Sequence, residues 1–195
     1  MTKLWILLGA SLLLALCIVT LIAPERAQAL SPLVMVKTGE QLPLRGSLDV
    51  MPTEERVDIK RLVAGEYDNQ FVSYASSIDF TNQGERWYRV RIANATAFDF
   101  VVLSMNDVLL SLVEVYYRDS IDSWNYTVKA EYSGMHIPHQ ENIWPFHDVG
   151  FRVEVPKDVV KTVYFKVTNP FPTIFDPHVS DEASYVKRQL MSYVL

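Results

Sequence analysis

The chain has 195 residues, a formal charge of −5 and an aromatic content of 12%. A mildly acidic chain without a basic run excludes nucleic acid as a partner, because binding to phosphate backbones draws most of its affinity from neutralising cations. The sole cysteine, Cys17, lies in the first apolar stretch, so the rest of the chain offers no internal disulfide, no thiolate nucleophile and no Cys-containing zinc set.

Residues 1–29 read as an export signal. Lys3 precedes an apolar run over 4–23, followed by Pro24, a polar pair and Ala27-Gln28-Ala29. A basic start, an apolar stretch, a helix breaker and small residues at −3 and −1 predict cleavage after Ala29, with Leu30 as the new N-terminus. About 20 apolar residues also suffice to cross a bilayer, so a retained anchor is the alternative. Leu16 before Cys17 argues against lipidation, which wants a small side chain there. Residues 1–29 hold Lys3 and Arg26 against Glu25, which leaves −6 on the remainder. That remainder, about 165 residues, is enough for one domain with its own core.

Residues 30–85 are mixed. The run 33–36 predicts a short apolar strand closed by Gly39. Thr53 with Glu54 and Glu55 predicts a capped helical turn, kept short because Arg56 stands where a capping box wants Glu or Gln. Ile78-Asp79-Phe80 is a brief alternation, and Asn82-Gln83-Gly84 predicts a turn.

From Trp87 onward the pattern is β. Tyr88, Val90 and Ile92 alternate with Trp87, Arg89 and Arg91. The stretch 98–105 is apolar apart from Asp99 and Ser104, as suits a strand buried on both faces. In 110–117, Leu110, Leu112, Glu114 and Tyr116 oppose Ser111, Val113, Val115 and Tyr117. After a turn at 119–123, Trp124, Tyr126, Val128, Ala130 and Tyr132 share the apolar face of a returning strand. Strands over 151–155 and 162–168 follow, with a turn at Pro156-Lys157-Asp158, and Asn169-Pro170 ends the sheet region. Short strands at this spacing, with no helical period between them, predict an all-β sandwich or barrel over 30–180. Residues 181–195 predict a helix capped by Ser180, which turns apolar toward its end. It reads either as the start of a juxtamembrane helix or as a helix packed back on the sandwich.

In order, Trp87-Tyr88-Arg89-Val90-Arg91-Ile92-Ala93-Asn94, the apolar strand ending near Asn106, Leu110 with Val113, Val115 and Tyr116, the pair Pro138-His139 and the strand 163–167 form a set. Across roughly residues 35–185 this set resembles the extracellular sensor domain of bacterial seven-transmembrane receptors with diverse intracellular signalling modules. The resemblance implies a jelly-roll β-sandwich similar to carbohydrate-binding modules, working in the periplasm. It also implies a membrane-embedded receptor partner, since neither a seven-helix bundle nor a cytoplasmic output module follows. The chain then reads as a truncated receptor or a free-standing sensor, tethered to the inner membrane if its leader is retained.

Catalysis finds no support in the motifs, which include neither a Gly-x-Ser-x-Gly elbow nor a phosphate-cradling glycine loop. His136, His139, Glu141, His147 and Asp148 cluster in sequence, but Pro138 breaks any helix that would present the first two together. Asp119 and Asp122 read as solvated turn acids. No cofactor is expected. A small-molecule or carbohydrate ligand is the favoured partner, and pockets for such ligands combine apolar walls with a few placed polar groups. Trp124, Arg89, Trp87, Tyr126 and Trp144 are the candidate ligand-binding side chains. Each has a structural counterpart: the aromatics can equally be core, and Arg89 can pair with Glu85 or Glu114 on the sheet surface. The alternative function is an exported protein–protein interaction domain without a small-molecule ligand.

Overall fold

Eleven strands, two α-helices and two 3-10 turns account for the residues that the computed structural model describes, namely 31–51, 56–74, 84–105, 110–119, 128–134, 149–170 and 176–192. The strands are β1 (Leu33–Val36), β2 (Gln41–Pro43), β3 (Asp49–Met51), β4 (Val72–Ser73), β5 (Gly84–Asn94), β6 (Phe100–Met105), β7 (Leu112–Arg118), β8 (Val128–Ser133), β9 (Val149–Glu154), β10 (Val160–Asn169) and β11 (Pro177–Ser180). Helix α1 covers Ile59–Val63 and α2 covers Glu182–Ser192. Ser31–Leu195 forms one compact unit. The leader expected over 1–29 lies outside the described residues.

Seven strands form one sheet in the order β4-β3-β5-β10-β7-β8, and β1 joins it alongside β5. Four strands form the other sheet, β2-β11-β6-β9. The long strand β5 organises the larger sheet. One of its edges is shared, with β3 beside residues 87–89 and β1 running parallel beside 91–94. Its other edge pairs with β10 along the whole strand. The chain crosses between sheets at β1–β2, β2–β3, β5–β6, β6–β7, β8–β9, β9–β10 and β10–β11, the alternation of a jelly roll. The fold is a β-sandwich with a short C-terminal helix, as the alternating pattern predicts.

The core follows from that alternation. Tyr88, Val90 and Ile92 of β5 face inward with Val113, Val115 and Tyr117 of β7 and with Val163, Phe165 and Val167 of β10. They meet Val101, Leu103 and Met105 of β6, Phe151 and Val153 of β9, and Val179 of β11. The Tyr88 ring stacks on Phe165 at 5.2 Å between centroids. Burying a side chain of this size contributes about 1.5–3 kcal/mol, so these positions dominate the stability of the domain. Strand β6 is buried on both faces, because α2 lays Tyr185 over Phe100 and Val102 on the outer side of the smaller sheet. Asn94 at the end of β5 fastens the two sheets together. Its amide donates to Phe98 O and Val155 O at 2.6 Å each, and its carbonyl accepts from Thr96 N at 2.9 Å.

Several elements depart from the pattern-based expectations. Helix α1, which the pattern does not predict, starts at Ile59, capped by Asp58, whose Oδ1 accepts from Lys60 N and Arg61 N. Asp58 serves two orphan donors of its own helix; of the capped turn expected over 53–57, Thr53, Glu54 and Glu55 lie outside the described residues. The sheet does not end at Asn169, because β11 follows and pairs with both β6 and β2. Asp181, rather than Ser180, caps α2, accepting from Ser184 N at 3.0 Å. Leu110 precedes β7 and turns into the main core instead of sharing the Leu112 face. In β8 the apolar face is the outer one. Val128 packs against the outer cluster and Ala130 is exposed, whereas Lys129 and Glu131 register with inward-facing Tyr117 and Val115. Edge-strand polarity there reflects the rim of the sandwich. Ile78, Asp79 and Phe80, with Asn82 and Gln83, lie outside the described residues.

Candidate functional site

On the outer face of the seven-stranded sheet the alternation that fills the core presents Trp87 and Arg89 of β5, Tyr116 of β7 and Tyr164 of β10. The segment after β3 folds back over them, and Met51, Leu62, Val63 and Phe71 complete a second apolar cluster. Within this cover sits a buried charge. Asp49 lies directly across from Arg89 in the β3–β5 register. Arg89 donates from Nε at 3.1 Å and from Nη2 at 2.6 Å to Asp49 Oδ2, and from Nη1 at 2.7 Å to Asp68 Oδ1. Ser31 Oγ donates to the same Asp49 oxygen. The guanidinium also lies 4.6 Å from the centre of the Phe71 ring. Arg89 and Asp49 side chains are 4% and 5% exposed, so the pair is desolvated and depends on its full set of hydrogen bonds.

Asp68 is the half-exposed end of this network. It reaches the sheet because α1 stops at Gly65, whose φ of +88° suits glycine and whose N–H closes the helix on Leu62 O at 2.9 Å. A Cβ at Gly65 would fall 3.1 Å from Asp68 Oδ2. Asp68 Oδ1 also accepts from Tyr164 Oη at 3.3 Å. Burial, and then the Asp68 charge, push the Tyr164 phenol well above its ordinary range, so it stays a donor.

Beside Asp68 opens a cleft of ≈ 300 Å³. One wall is Val63, Ala64, Gly65 and Asp68; the opposite wall is Arg118 with residues 159–162 and Tyr164. Arg118 is steadied by donating from Nε to Val63 O at 2.8 Å. The volume is at the lower end of small-ligand pockets, and half of the lining residues are polar or charged: Asp68, Arg118, Lys161, Thr162 and Tyr164.

Two of the five side chains chosen from the pattern, Arg89 and Trp87, lie among the described residues, and neither lines the cleft. Arg89 stands behind it as the anchor of Asp68. Its partners are Asp49 and Asp68 rather than Glu85 or Glu114. Those two glutamates are taken by Lys166 instead, Glu85 at 3.6 Å and Glu114 in closer contact. Trp87 is 2% exposed and its ring lies 5.6 Å from Tyr116. Its Nε1 has no hydrogen-bond partner among the described residues. Trp124, Tyr126 and Trp144 lie outside the described residues, as do His136, His139, Glu141, His147, Asp148 and Asp122. Asp119 is described and is held by Lys129 at 3.2 Å. Among the described residues no group of three or more His, Cys, Asp or Glu is placed to hold a metal ion. No helix among them is long and apolar enough to cross a membrane.

Pattern reading missed Asp49, Asp68, Arg118 and Tyr164. One signal was available. An arginine inside an otherwise apolar strand requires a carboxylate if it is buried, and β3 and the turn after α1 supply acids; which acids they are is a matter of tertiary contact.

A model of the family described as 7TMR-DISM extracellular 2 matches residues 51–181. No curated protein matches the chain. A solved structure from work on the promiscuous specificity of carbohydrate-binding modules of the β-sandwich superfamily is similar at 10% identity, with a TM-score of 0.28. The alignment covers 50% of this chain and 42% of that one.

Proposed function

The chain belongs to the 7TMR-DISM extracellular 2 family, and from that premise we propose that it senses a small molecule, a carbohydrate foremost, in the cleft between α1 and β10. The domain works on the periplasmic side of a bacterial membrane and passes occupancy to a membrane-embedded receptor partner. The observation that carries this reading is the prepared polar wall. Asp68 is already oriented by a buried arginine and by a tyrosine hydroxyl, so a sugar hydroxyl meets an acceptor whose ordering has been paid for by the fold. The role is recognition without chemistry, since the cleft pairs its carboxylate with cations and a phenol and not with a nucleophile and base.

Titration calorimetry of the purified protein against a panel of mono- and disaccharides tests the proposal. Saturable binding is expected for at least one sugar, weakened about tenfold or more in Asp68→Ala, as follows from removing a charged hydrogen-bond partner. Binding that Asp68→Ala leaves unchanged, in a variant that melts like the parent, would move the site elsewhere. A second reading, an interaction domain, is favoured by Leu190 and Met191 on α2, each 56% exposed. A stable protein partner with no sugar binding would select it, and in that case α2 is the contact.

A further inference from the structure

We propose that the ligand of this cleft is an amino sugar, whose ammonium group is bound by Asp68 Oδ2. This deepens the sensing reading above and rests on it.

One guanidinium serves two carboxylates in the outer-face network. Arg89 directs two of its hydrogen bonds to Asp49 and one to Asp68. The Asp49 side chain is 5% exposed, and a carboxylate withdrawn from water needs a full counter-charge. The Asp68 side chain is 46% exposed, and its other partner, Tyr164 Oη, is a neutral donor. No second cation among the described residues lies within ion-pair distance of either carboxylate. The guanidinium therefore neutralises Asp49, and the surplus negative charge of the network stands on Asp68, in the wall of the cleft.

The two oxygens of Asp68 have different surroundings. Oδ1 accepts from Arg89 at 2.7 Å and from Tyr164 at 3.3 Å, and these two donors hold the carboxylate in place. Oδ2 accepts from no described residue. Gly65 stands beside it, where a Cβ would fall 3.1 Å from Oδ2, so the glycine leaves the approach to this oxygen clear. A held, half-exposed acceptor with net charge is matched better by an ammonium than by a hydroxyl, because charge-assisted hydrogen bonds are about twice as strong as neutral ones.

The cations of the lining are directed elsewhere. Lys161 is in register with the core residue Ile92, and its Nζ lies on the inner side of the sheet, 5.2 Å from the centre of the Tyr117 ring. Arg118 is engaged by the chain itself, with Nε donating to Val63 O at 2.8 Å. Val160, 47% exposed in the lining, offers apolar surface to the C–H face of a pyranose. An amino sugar carries both features, a charged donor for Asp68 and a ring face for Val160.

The test is a titration of the purified protein at low salt and about pH 6, where amines are protonated and carboxylates ionised. The ligands are D-glucosamine, D-glucose, N-acetyl-D-glucosamine and D-glucuronate. D-Glucosamine is expected to bind about tenfold or more tightly than the other three, the size of one hydrogen bond to a charged group. The preference should fall away in Asp68→Asn, which keeps the shape of the side chain and removes its charge. In the native protein it should weaken as salt rises from about 0.01 to 0.5 M. If Asp68→Asn does not fold, the salt series and the comparison with N-acetyl-D-glucosamine, which keeps the nitrogen and loses the charge, carry the test. Equal binding of glucosamine and glucose would overturn the amine preference and leave the sugar reading standing. Tighter binding of D-glucuronate, or binding of another neutral sugar alone, would do the same. A glucosamine preference that survives in Asp68→Asn would overturn the placement at Asp68. A protein that binds no sugar at all overturns both readings.

Discussion

The two faces of the seven-stranded sheet are built from the same strands by the same alternation, yet they solve different problems. The inner face is apolar packing: Tyr88, Val90 and Ile92 against Val163 and Phe165, with the smaller sheet beyond. The outer face carries aromatic residues at equivalent positions, but between Trp87 and Tyr164 it admits Arg89 and closes the charge with Asp49 and Asp68. The inner face needs shape, and shape tolerates exchange between similar side chains. The outer face needs geometry and charge together, and neither can be exchanged alone. The outer face thus sets a buried ion network beside an open cleft.

Substitution at the two faces tests this contrast. The largest effect is expected from Arg89→Met, which leaves Asp49 buried without its cation and should cost about 3–5 kcal/mol. A urea titration reads it, and a loss under about 1 kcal/mol, the value for exposed pairs, would show that the network is solvated. Ile92→Ala on the inner face should cost about 2–5 kcal/mol, and Ile92→Val about 0.5–1.5. The conservative exchange sharpens the comparison, since Arg89→Lys should be far from silent: an ammonium cannot donate to Asp49 and Asp68 in the same forked geometry. Equal tolerance of Ile92→Val and Arg89→Lys would erase the distinction between the faces.

The smallest effect lies at the rim, where the inner face meets β8. Burial raises the Glu131 carboxyl above its ordinary value of 4.5, against the opposing hydrogen bond from Tyr117 Oη at 3.4 Å and the Lys129 charge. Glu154 adds to the rise and Arg152 opposes it. The folded state therefore holds the Glu131 proton more tightly than the unfolded chain does. Its contribution to stability is full below pH 4.5 and is lost as pH rises through the folded value. Glu131→Gln should remove that part of the pH dependence between the acidic and neutral ranges, measured by chemical denaturation at several pH values. An unchanged profile would show that Glu131 stays solvated.

The alternation of β5, β6, β7 and β10 was legible because long strands repeat the period often enough to assign both faces. Strands β3 and β4 hold three and two residues, too few for a period, and their existence depends on pairing with β5. The sandwich was therefore readable from Trp87 onward and hardly before it. The same limit hid the site. Arg89 stood out as a charge in a strand, but its acceptors lie 40 and 21 residues back in the chain, at distances that no local pattern spans. Lys129 and Glu131 misled in the opposite direction, because at the rim of a sandwich an inward-facing position can still reach water. Family resemblance, carried by the ordered set from Trp87 to Val167, reached further than any single motif and agrees with the matched region 51–181.

The central claim is that the cleft between α1 and β10 forms the ligand site, and amide chemical-shift mapping of the purified protein with the tightest-binding sugar of the calorimetric panel tests it most directly. The account predicts saturable shifts concentrated at Gly65, Asp68, Arg118 and residues 160–164, abolished in Thr162→Trp, where an indole fills the cleft. Saturable shifts confined to the face of α2 and β6, undiminished by Thr162→Trp, would contradict it.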